Sequence, residues 1–196
     1  MYGLELPEGT DVELVDRLHE GFLVRQFQRG NPEAFVALVR RYERRLLYFL
    51  RRFERDSERA LDILQEVWMT AWSTRMSLQS DAAFRAWIYR IAHGKIVGAI
   101  RAEMRQRRTE RERQYLTATA ANCTGATFES AELVHFALSQ VSPEHRSVLT
   151  LRFLEGMAIA EIAEVTNLPV GTVKSRLHYA SQEILSVIEE QENARK

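Results

Sequence analysis

Cysteine is almost absent from this chain, since Cys123 is the single one among 196 residues. One thiol can form neither an internal disulfide nor a cysteine cluster around a metal, so disulfide-stapled secreted domains and zinc–cysteine modules are excluded. Long apolar runs are missing too. The first residues, MYGLELPEGTDVELVD, are acidic and unlike a signal peptide, and no window reaches the length of a membrane span. We therefore expect a soluble, cytoplasmic protein without membrane insertion.

Enzyme signatures are also lacking. The chain has no glycine-rich nucleotide-binding loop, and its five histidines show no metal-ligand spacing. We expect a non-enzyme, with no catalytic residue, no metal and no cofactor. The histidines are His19, His93, His135, His145 and His178.

The chain has no net charge, because 27 Lys and Arg balance 27 Asp and Glu. This at first argues against a nucleic-acid binder, but the distribution matters more than the sum. Residues 85–113 carry 9 Lys and Arg against 3 Asp and Glu, whereas the segments on either side are mildly acidic. A basic segment of this kind can bind the phosphates of a nucleic acid, while the other segments of the chain contact proteins. On charge alone, a solvated arginine-rich helix is an equal alternative.

Helical periodicity runs through most of the chain, and no segment shows the period of two expected for a strand. The first predicted helix spans residues 11–29, with Leu14, Leu18 and Phe22 at four-residue spacing. The second has Asn31 as cap and Pro32 at its first position. Its apolar stripe is Phe35, Leu38, Val39, Tyr42, Leu46, Phe49 and Leu50.

Two more helices complete the predicted N-terminal core. The third begins near Ser57, and a fourth, capped by Asp81, extends into the basic segment. The third is predicted to bury Leu61, Leu64, Val67, Trp68, Ala71 and Trp72. The fourth contains Phe84, Trp87, Ile88 and Ile91.

The amino-acid composition changes at residues 114–128, QYLTATAANCTGATF, which are uncharged and rich in small polar residues. We interpret this stretch as an interdomain linker, because structureless loops of this length are uncommon inside one domain. Helices are predicted again at 129–140, 143–154, 158–165 and 170–190. The predicted fold is therefore all-α, with two small helical domains (1–113 and 129–196) joined by a flexible linker.

The last two helices have the pattern of a helix-turn-helix. Ile159, Ile162 and Val165 form one apolar side, and Leu168 plugs the turn. Val173 and Leu177 anchor the second helix, which leaves a set of hydrogen-bond donors on its other faces. Such a helix suits the major groove and its flanking phosphates, although a helical hairpin with a solvated polar face is the alternative. The donors are Thr172, Lys174, Ser175, Arg176, His178 and Tyr179.

The residues of this C-terminal region resemble the fourth conserved domain of extracytoplasmic-function sigma factors of bacterial RNA polymerase. The resemblance implies that the donor set lies at or near the promoter element about 35 bases upstream of the start. The helix-turn-helix fold is shared with response-regulator DNA-binding domains, so it does not settle the class. The matching residues are Leu138, Ser142, Arg146, Val148, Leu149, Leu151, Arg152, Glu155–Gly156, Glu161–Glu164 and Gly171–Leu177.

The N-terminal segments ALDILQEVW (60–68) and FRAWIYRIA (84–92) resemble the second conserved domain of the same family. The resemblance implies that Asp62, Gln65 and Glu66 dock on the coiled coil of the polymerase β′ clamp. Carboxylates and an amide can complement basic side chains at the polar rim of a protein interface. An ordinary helix face that only contacts solvent would have the same composition. The implied polymerase contacts also include the β flap.

The same resemblance implies that the basic helix follows the melted upstream promoter element. The loop at 75–81 would border a pocket for a base that has left the stack. Trp87 and Tyr89 are candidates for stacking on bases, although the spacing of Trp87 favours a core position. The residues predicted to contact phosphates are Arg90, Lys95, Arg101 and Arg105.

The chain departs from the family pattern at two positions, where Gly94 and Gly98 replace an Asn and an Asp. We interpret the chain as an alternative sigma factor that binds core RNA polymerase and promoter DNA, with an anti-sigma factor as a further expected partner. The glycines motivate one alternative, a sigma-like adaptor that binds an anti-sigma protein without initiating transcription. An ordinary two-domain repressor or activator would leave the N-terminal match unexplained.

Overall fold

The computed structural model describes the backbone of residues 10–113, 137–138 and 140–193, and the side chains of residues 14–106, 137–138 and 140–189. These residues contain helices and no strand, which confirms the predicted all-α class. The predicted linker at 114–128 and most of the predicted helix at 129–140 lie outside this range. The helices are α1 (Thr10–Gln28), α2 (Pro32–Leu50), α3 (Ser57–Thr74), α4 (Phe84–Arg113), α5 (Pro143–Leu149), α6 (Ile159–Thr166) and α7 (Val170–Asn193).

Most helix starts are the predicted ones. Asn31 Oδ1 accepts hydrogen bonds from the backbone N–H groups of Glu33 (2.8 Å) and Ala34 (3.2 Å), and Pro32 occupies the first turn. Ser142 Oγ accepts from His145 N at 3.2 Å and begins α5 in the same way. These side chains satisfy N–H groups that have no partner within the helix.

The predicted cap at Asp81 is wrong. Two 3₁₀ turns, Arg75–Ser77 and Asp81–Ala83, follow α3, and α4 begins at Phe84. The Asp81 carboxylate accepts from Ala82 N at 3.0 Å and pairs with the Arg25 guanidinium of α1. Asp81 therefore ties the loop before α4 to α1, a long-range contact that the local sequence pattern does not contain.

The N-terminal core is built around Phe27, which is buried near the end of α1. Its ring lies 5.6 Å from that of Phe35 on α2 and 6.1 Å from that of Trp72 on α3, measured between centroids. The rings of Phe84 and Trp87 at the start of α4 lie 6.0 and 6.3 Å away. One aromatic side chain thus joins all four helices in edge-to-face and stacked geometries that favour packing.

Helix α1 buries a different stripe from the one its spacing suggests. Leu14, Leu18 and Phe22 are 48%, 63% and 52% exposed, whereas Val24 and Phe27 are fully enclosed. The N-terminal half of α1 is attached to α2 by a polar contact instead. Arg41 Nε donates to Glu20 Oε2 at 2.7 Å. The helix was correctly predicted, but the side that faces the core was not visible in its sequence.

The predicted burial of Leu61 on α3 is also wrong, because this side chain is 47% exposed. The other predicted residues of α3 line the core or its edge. Leu61 lies one residue before the predicted polymerase-contact position Asp62, on the outward side of the helix. The apolar stripe of α3 is wider than the face that the helix buries, so one of its residues, Leu61, remains exposed to solvent.

The C-terminal region has the predicted helix-turn-helix. A π-turn, Thr150–Leu154, extends α5, and Gly156 with φ +65° ends it. Helix α6 ends at Asn167, whose φ of +54° gives the left-handed conformation of a helix C-terminus. Ile162, Val165 and Val173 are buried, and Leu168 packs against them from the turn.

The two regions share one continuous hydrophobic core. Helix α4 packs along α6, the first helix of the helix-turn-helix, and α7 packs on α5 and α6. Buried Ile96 of α4 and Ile162 of α6 belong to the same cluster. The two regions therefore bury apolar surface against each other, which two independent domains joined by a linker would not do.

Gly94 and Gly98 lie within α4, which continues through both of them to Arg113. A Cβ at either position would meet no atom within 4 Å, so neither glycine is needed for packing. We predict that Gly94→Ala and Gly98→Ala each raise the free energy of unfolding by about 0.5–1 kcal/mol, since alanine restricts the unfolded chain. Urea unfolding measures this effect.

The control for this prediction is Gly156→Ala. A Cβ would have space there, but the φ of +65° is unfavourable for alanine. This variant is expected to lose stability. A loss of stability in the two α4 variants would show that their helix needs the glycines.

Candidate nucleic-acid and protein-binding surfaces

The exposed face of α7 carries four of the six predicted donors. Lys174, Ser175, His178 and Tyr179 are exposed, and their spacing places them along one side of the helix. The rings of His178 and Tyr179 lie 5.5 Å apart between centroids. Ser175 Oγ donates to the backbone oxygen of Thr172 at 3.0 Å, so its one hydrogen is engaged and the hydroxyl is left as an acceptor. The donors of this face are therefore Lys174, His178 and Tyr179. This face can donate to base edges and to phosphates.

The other two predicted donors, Thr172 and Arg176, lie on the flank of α7 and are half-buried. Arg176 lines a cavity of about 270 Å³ between α4 and the C-terminal helices. Arg101 of α4, predicted to contact the melted element, lines the same cavity. Two arginines assigned by sequence to separate promoter elements are therefore neighbours here.

The four predicted phosphate ligands of α4 are spread along one long helix. Arg90, Arg101 and Arg105 are exposed. Lys95 is half-buried, and its Nζ lies 3.1 Å from Glu66 Oε2 of α3. This pair joins a predicted DNA ligand to a predicted polymerase ligand, and it is solvated enough to be worth no more than about 1 kcal/mol.

The loop between α3 and α4 borders a cavity of about 400 Å³, which is also lined by Glu164 of α6. Ser77, Gln79 and Ser80 supply polar groups from the loop, and Arg90 supplies a charge from α4. Trp87 forms an apolar wall and donates from its indole Nε1 to Ser77 Oγ at 3.2 Å. The cavity is large enough for one base, and its lining combines hydrogen-bonding groups with an aromatic ring.

Trp87 and Tyr89 are both core residues. Trp87 is 5% exposed, which agrees with its spacing, and Tyr89 is completely buried. The expectation that Tyr89 stacks on a base is wrong for this arrangement, because its ring packs on Phe49 at 5.5 Å and its hydroxyl is bonded to Glu155. Burial and the Glu155 carboxylate raise the pKa of Tyr89 above its ordinary value, so the hydroxyl stays protonated.

Asp62, Gln65 and Glu66 all lie on the exposed side of α3, as predicted. Leu64, Val67 and Trp68 of the same helix are buried, so the backbone beneath the polar residues is held by the core. Of the three, Glu66 is paired with Lys95 of α4 at the edge of this face. The face offers a carboxylate–amide–carboxylate row to a basic partner surface.

An apolar groove beside this polar row was missed by the sequence reasoning. It encloses about 700 Å³ between α2 and α3 and includes Gln65 at its edge. Phe35, Val39 and Trp72 had been interpreted as core residues, but they are only partly buried and form the groove wall. The sequence did contain a signal for this groove. Val36 on α2 and Met69 on α3 are apolar residues that lie outside the stripe each helix was predicted to bury. The groove lining is Pro32, Phe35, Val36, Val39, Arg40, Gln65, Trp68, Met69 and Trp72.

His93 lies on α4 and lines the cavity shared by Arg101 and Arg176. Burial, and then the charges of these two guanidiniums, lower the pKa of His93 to about 4. In the unfolded chain the imidazole has its ordinary pKa of about 6.5. The folded protein therefore binds fewer protons between these values, and stability is lost as the pH falls from about 6.5 to 4.

We predict that His93→Gln removes this loss, which amounts to at most about 3 kcal/mol of unfolding free energy. Urea unfolding at pH 7.5 and pH 4.5 measures it as a difference between the variant and the wild type. The matched control is His178→Gln on the exposed face of α7, which should retain the pH dependence of the wild type. Equal pH dependence in wild type and His93→Gln would contradict the prediction.

Among the residues that the structure describes, no cluster of three metal-ligating side chains is present. Nor is any helix in that part of the chain both long and apolar enough to cross a membrane.

The sequence matches two family models in the order of the two regions. Residues 38–106 match sigma-70 region 2, and residues 131–184 match sigma-70 region 4. The first match covers most of α2, all of α3 and α4 as far as Gln106. The second covers the helix-turn-helix and its exposed α7 face.

Characterised relatives match over most of their length. The RNA polymerase sigma-H factor of Pseudomonas aeruginosa is 32% identical over 173 residues, which is 83% of this chain and 90% of the relative. The extracytoplasmic-function sigma-E factor of Haemophilus influenzae is 28% identical over 190 residues, covering 90% of this chain and 98% of the relative.

Two solved structures share the fold. CnrH, solved in complex with the cytosolic domain of CnrY, gives a TM-score of 0.65 at 24% identity, over 87% of this chain and 97% of CnrH. The sigma factor RpoE of Bartonella quintana, solved with the anti-sigma factor NepR, gives 0.61 at 20% identity, over 79% of this chain and 96% of RpoE.

Proposed function

The chain belongs to the extracytoplasmic-function sigma factors of bacterial RNA polymerase, and from this premise we propose which of its surfaces carry each part of initiation. As a member, it is a non-enzymatic alternative sigma factor that binds core RNA polymerase and directs transcription from specific promoters. We propose a division into a polymerase-binding and strand-capturing domain at 1–113, a linker at 114–128, and a distal-element domain at 129–196. Its place of action would be the cytoplasm.

The observation that carries the polymerase assignment is the polar row of α3 beside an apolar groove. Asp62, Gln65 and Glu66 are exposed on a helix whose other side is fixed in the core. The groove continues from Gln65 to Met69 and Trp72. An interface with an apolar centre and a charged rim is typical of specific protein partners. We assign this surface to the β′ clamp coiled coil, and propose that an anti-sigma factor competes for it.

The DNA assignments follow the exposed donors. The α7 face of Lys174, Ser175, His178 and Tyr179 would read the distal element, with Thr172 and Arg176 at its edge. The cavity beside Ser77 and Gln79 would take one base of the melted strand. Arg90, Lys95, Arg101 and Arg105 would hold its phosphates, which supplies salt-dependent affinity without reading sequence.

Run-off transcription with purified core RNA polymerase and fragmented genomic DNA tests the whole proposal. Discrete starts that share a two-part upstream motif, and that depend on this chain, are the expected result. A protein that binds core polymerase without producing specific starts would instead support the sigma-like adaptor.

A charge-reversed variant, Asp62→Arg with Glu66→Arg, tests the polymerase surface separately. Reversing both carboxylates places like charges against a basic partner, so we expect core binding to weaken at least tenfold. The matched control is Glu58→Arg, an exposed acidic position at the start of the same helix. Equal core affinity in both variants would remove this surface from the assignment.

A further inference from the structure

The loop between α3 and α4 is attached at its middle to the end of α1. Gln28, the last residue of α1, donates from Nε2 to the backbone oxygen of Leu78 at 2.8 Å. Leu78 belongs to the run Ser77–Ser80 that lines the 400 Å³ cavity, and its own side chain is only 4% exposed. The hydrogen bond therefore holds the backbone at the centre of the polar wall of this cavity.

A second contact attaches the end of the same loop to α1. Arg25 pairs with the carboxylate of Asp81, which begins the second 3₁₀ turn. Gly21, one helical turn before Arg25, leaves room for this carboxylate, because a Cβ there would lie 3.0 Å from Asp81 Oδ2. Positions 21, 25 and 28 follow the spacing of one helix face, so a single side of α1 contacts the loop.

The start of the loop is held by the helices on either side of it. Arg75 donates from Nη1 to the backbone oxygen of Trp72 on α3 at 2.8 Å, and its guanidinium lies 4.8 Å from the centre of the Trp72 ring. Ser77 Oγ accepts from the indole of Trp87 on α4. The loop is thus anchored at its start by α3 and α4, and at its middle and end by α1.

The end of α1 is itself fixed, so its side chains can position the loop. Phe27, the neighbour of Gln28, is 1% exposed and packs on the rings of Phe84 and Trp87 at the start of α4. Gly30 follows the helix with a φ of +85°. A side chain on a segment locked by packing keeps its hydrogen-bonding atom in place, which is the requirement for a positioning residue.

We propose that Gln28 and Arg25 are positioning residues for base capture, because they hold residues 77–81 in the conformation that selects one base of the melted strand. This inference rests on the proposed function and assigns base selectivity in part to α1, a helix that does not line the cavity. Polar groups on a loop distinguish one base from another only while their directions are fixed. A loop with several conformations binds every base through the small fraction of molecules that has the correct one.

Gln28→Met tests the first contact, since it removes the amide donor, keeps the length of the side chain and adds no charge. We expect the holoenzyme to lose about five- to tenfold of its preference among forked promoter DNAs that differ in the captured base. The forks carry the start region mapped by run-off transcription, with each of the four bases in turn at the melted upstream positions. Binding to a duplex of the distal element should stay unchanged, whereas a general loss of folded protein would lower both affinities.

Gln26→Met is the matched control. Gln26 lies two residues earlier on α1 and is half-buried, and its side chain makes no hydrogen bond with the loop among the residues that the structure describes. This variant should keep the base preference of the wild type. If Gln28→Met also keeps it while the wild type is selective, the positioning role is overturned.

Asp81→Asn tests the second contact. Asparagine can still accept from Ala82 N through Oδ1, but it removes the charge that pairs with Arg25. Because this pair is largely solvated, we expect a smaller loss of base preference, about two- to fivefold. The total affinity for forked DNA should not fall, since one negative charge near the phosphates is removed. An equal change in affinity for all four bases, with the preference intact, would contradict the role of this pair.

Amide hydrogen exchange in the free protein separates this proposal from the function on which it rests. Gln28→Met should speed the exchange of residues 75–83 by about the same five- to tenfold, and Gln26→Met should not. Unchanged exchange would overturn the positioning role whatever the polymerase does. Faster exchange together with a wild-type holoenzyme that prefers no base would instead overturn base capture at this cavity, and the positioning role with it.

Discussion

Lys174→Ala combined with His178→Ala is expected to weaken binding to the distal promoter element by about 30- to 1,000-fold. Both side chains lie on the exposed face of α7, and the helix beneath them is anchored by buried Val173 and Ala180. A base contact contributes about 1–3 kcal/mol and a phosphate contact about 1 kcal/mol, so two losses together give this range. Fluorescence anisotropy with a duplex of the mapped element measures the affinity.

Salt dependence distinguishes the roles of these two residues. If Lys174 holds a phosphate, Lys174→Ala lowers the salt slope by about one and weakens all sequences equally. The matched control is Leu185→Ala, which changes another exposed side chain further along α7. A double variant with the affinity of this control would mean that the α7 face does not contact the element.

Phe27→Ala is expected to produce the largest loss of stability of any single change considered. The ring is buried and contacts aromatic side chains of α2, α3 and α4. Replacement of a buried phenylalanine by alanine costs about 3–5 kcal/mol, a large part of the stability of a small domain. Urea unfolding should show this loss, and polymerase binding should decrease because α3 rests on the same core.

Phe22→Ala is the control on the same helix. Phe22 is 52% exposed, so its removal should change stability by less than about 0.5 kcal/mol. Similar losses in the two variants would mean that α1 packs by the stripe of Leu14, Leu18 and Phe22 that its spacing suggests.

The sequence determined the parts that depend on local chemistry. Asn31 and Pro32 marked the start of α2 because a capping side chain needs only its own first turn. The predicted ends at 154 and 165 lie next to Gly156 and Asn167, which adopt the positive φ that few residues take. The helix-turn-helix followed from apolar spacing within one segment. Resemblance to the sigma factors added the family, which the comparisons confirmed.

The candidate surfaces were only partly determined by sequence. Six donors were named on α7, but the structure separates an exposed face from Thr172 and Arg176 on its flank. Spacing alone does not say which side of a helix its neighbours cover. For the same reason Leu61 was expected in the core and is exposed, while Phe35 and Trp72 line a groove.

Only the tertiary structure decided which residues of distant segments contact one another. Asp81 binds α1, Tyr89 and Arg45 converge on Glu155, and Arg101 and Arg176 share one cavity. Each of these contacts joins residues more than fifty positions apart. Local periodicity reports which face of a helix is apolar, since that depends on neighbours within a few turns. Which distant polar group meets that helix depends on how whole helices pack, and packing is settled by the sum of many contacts.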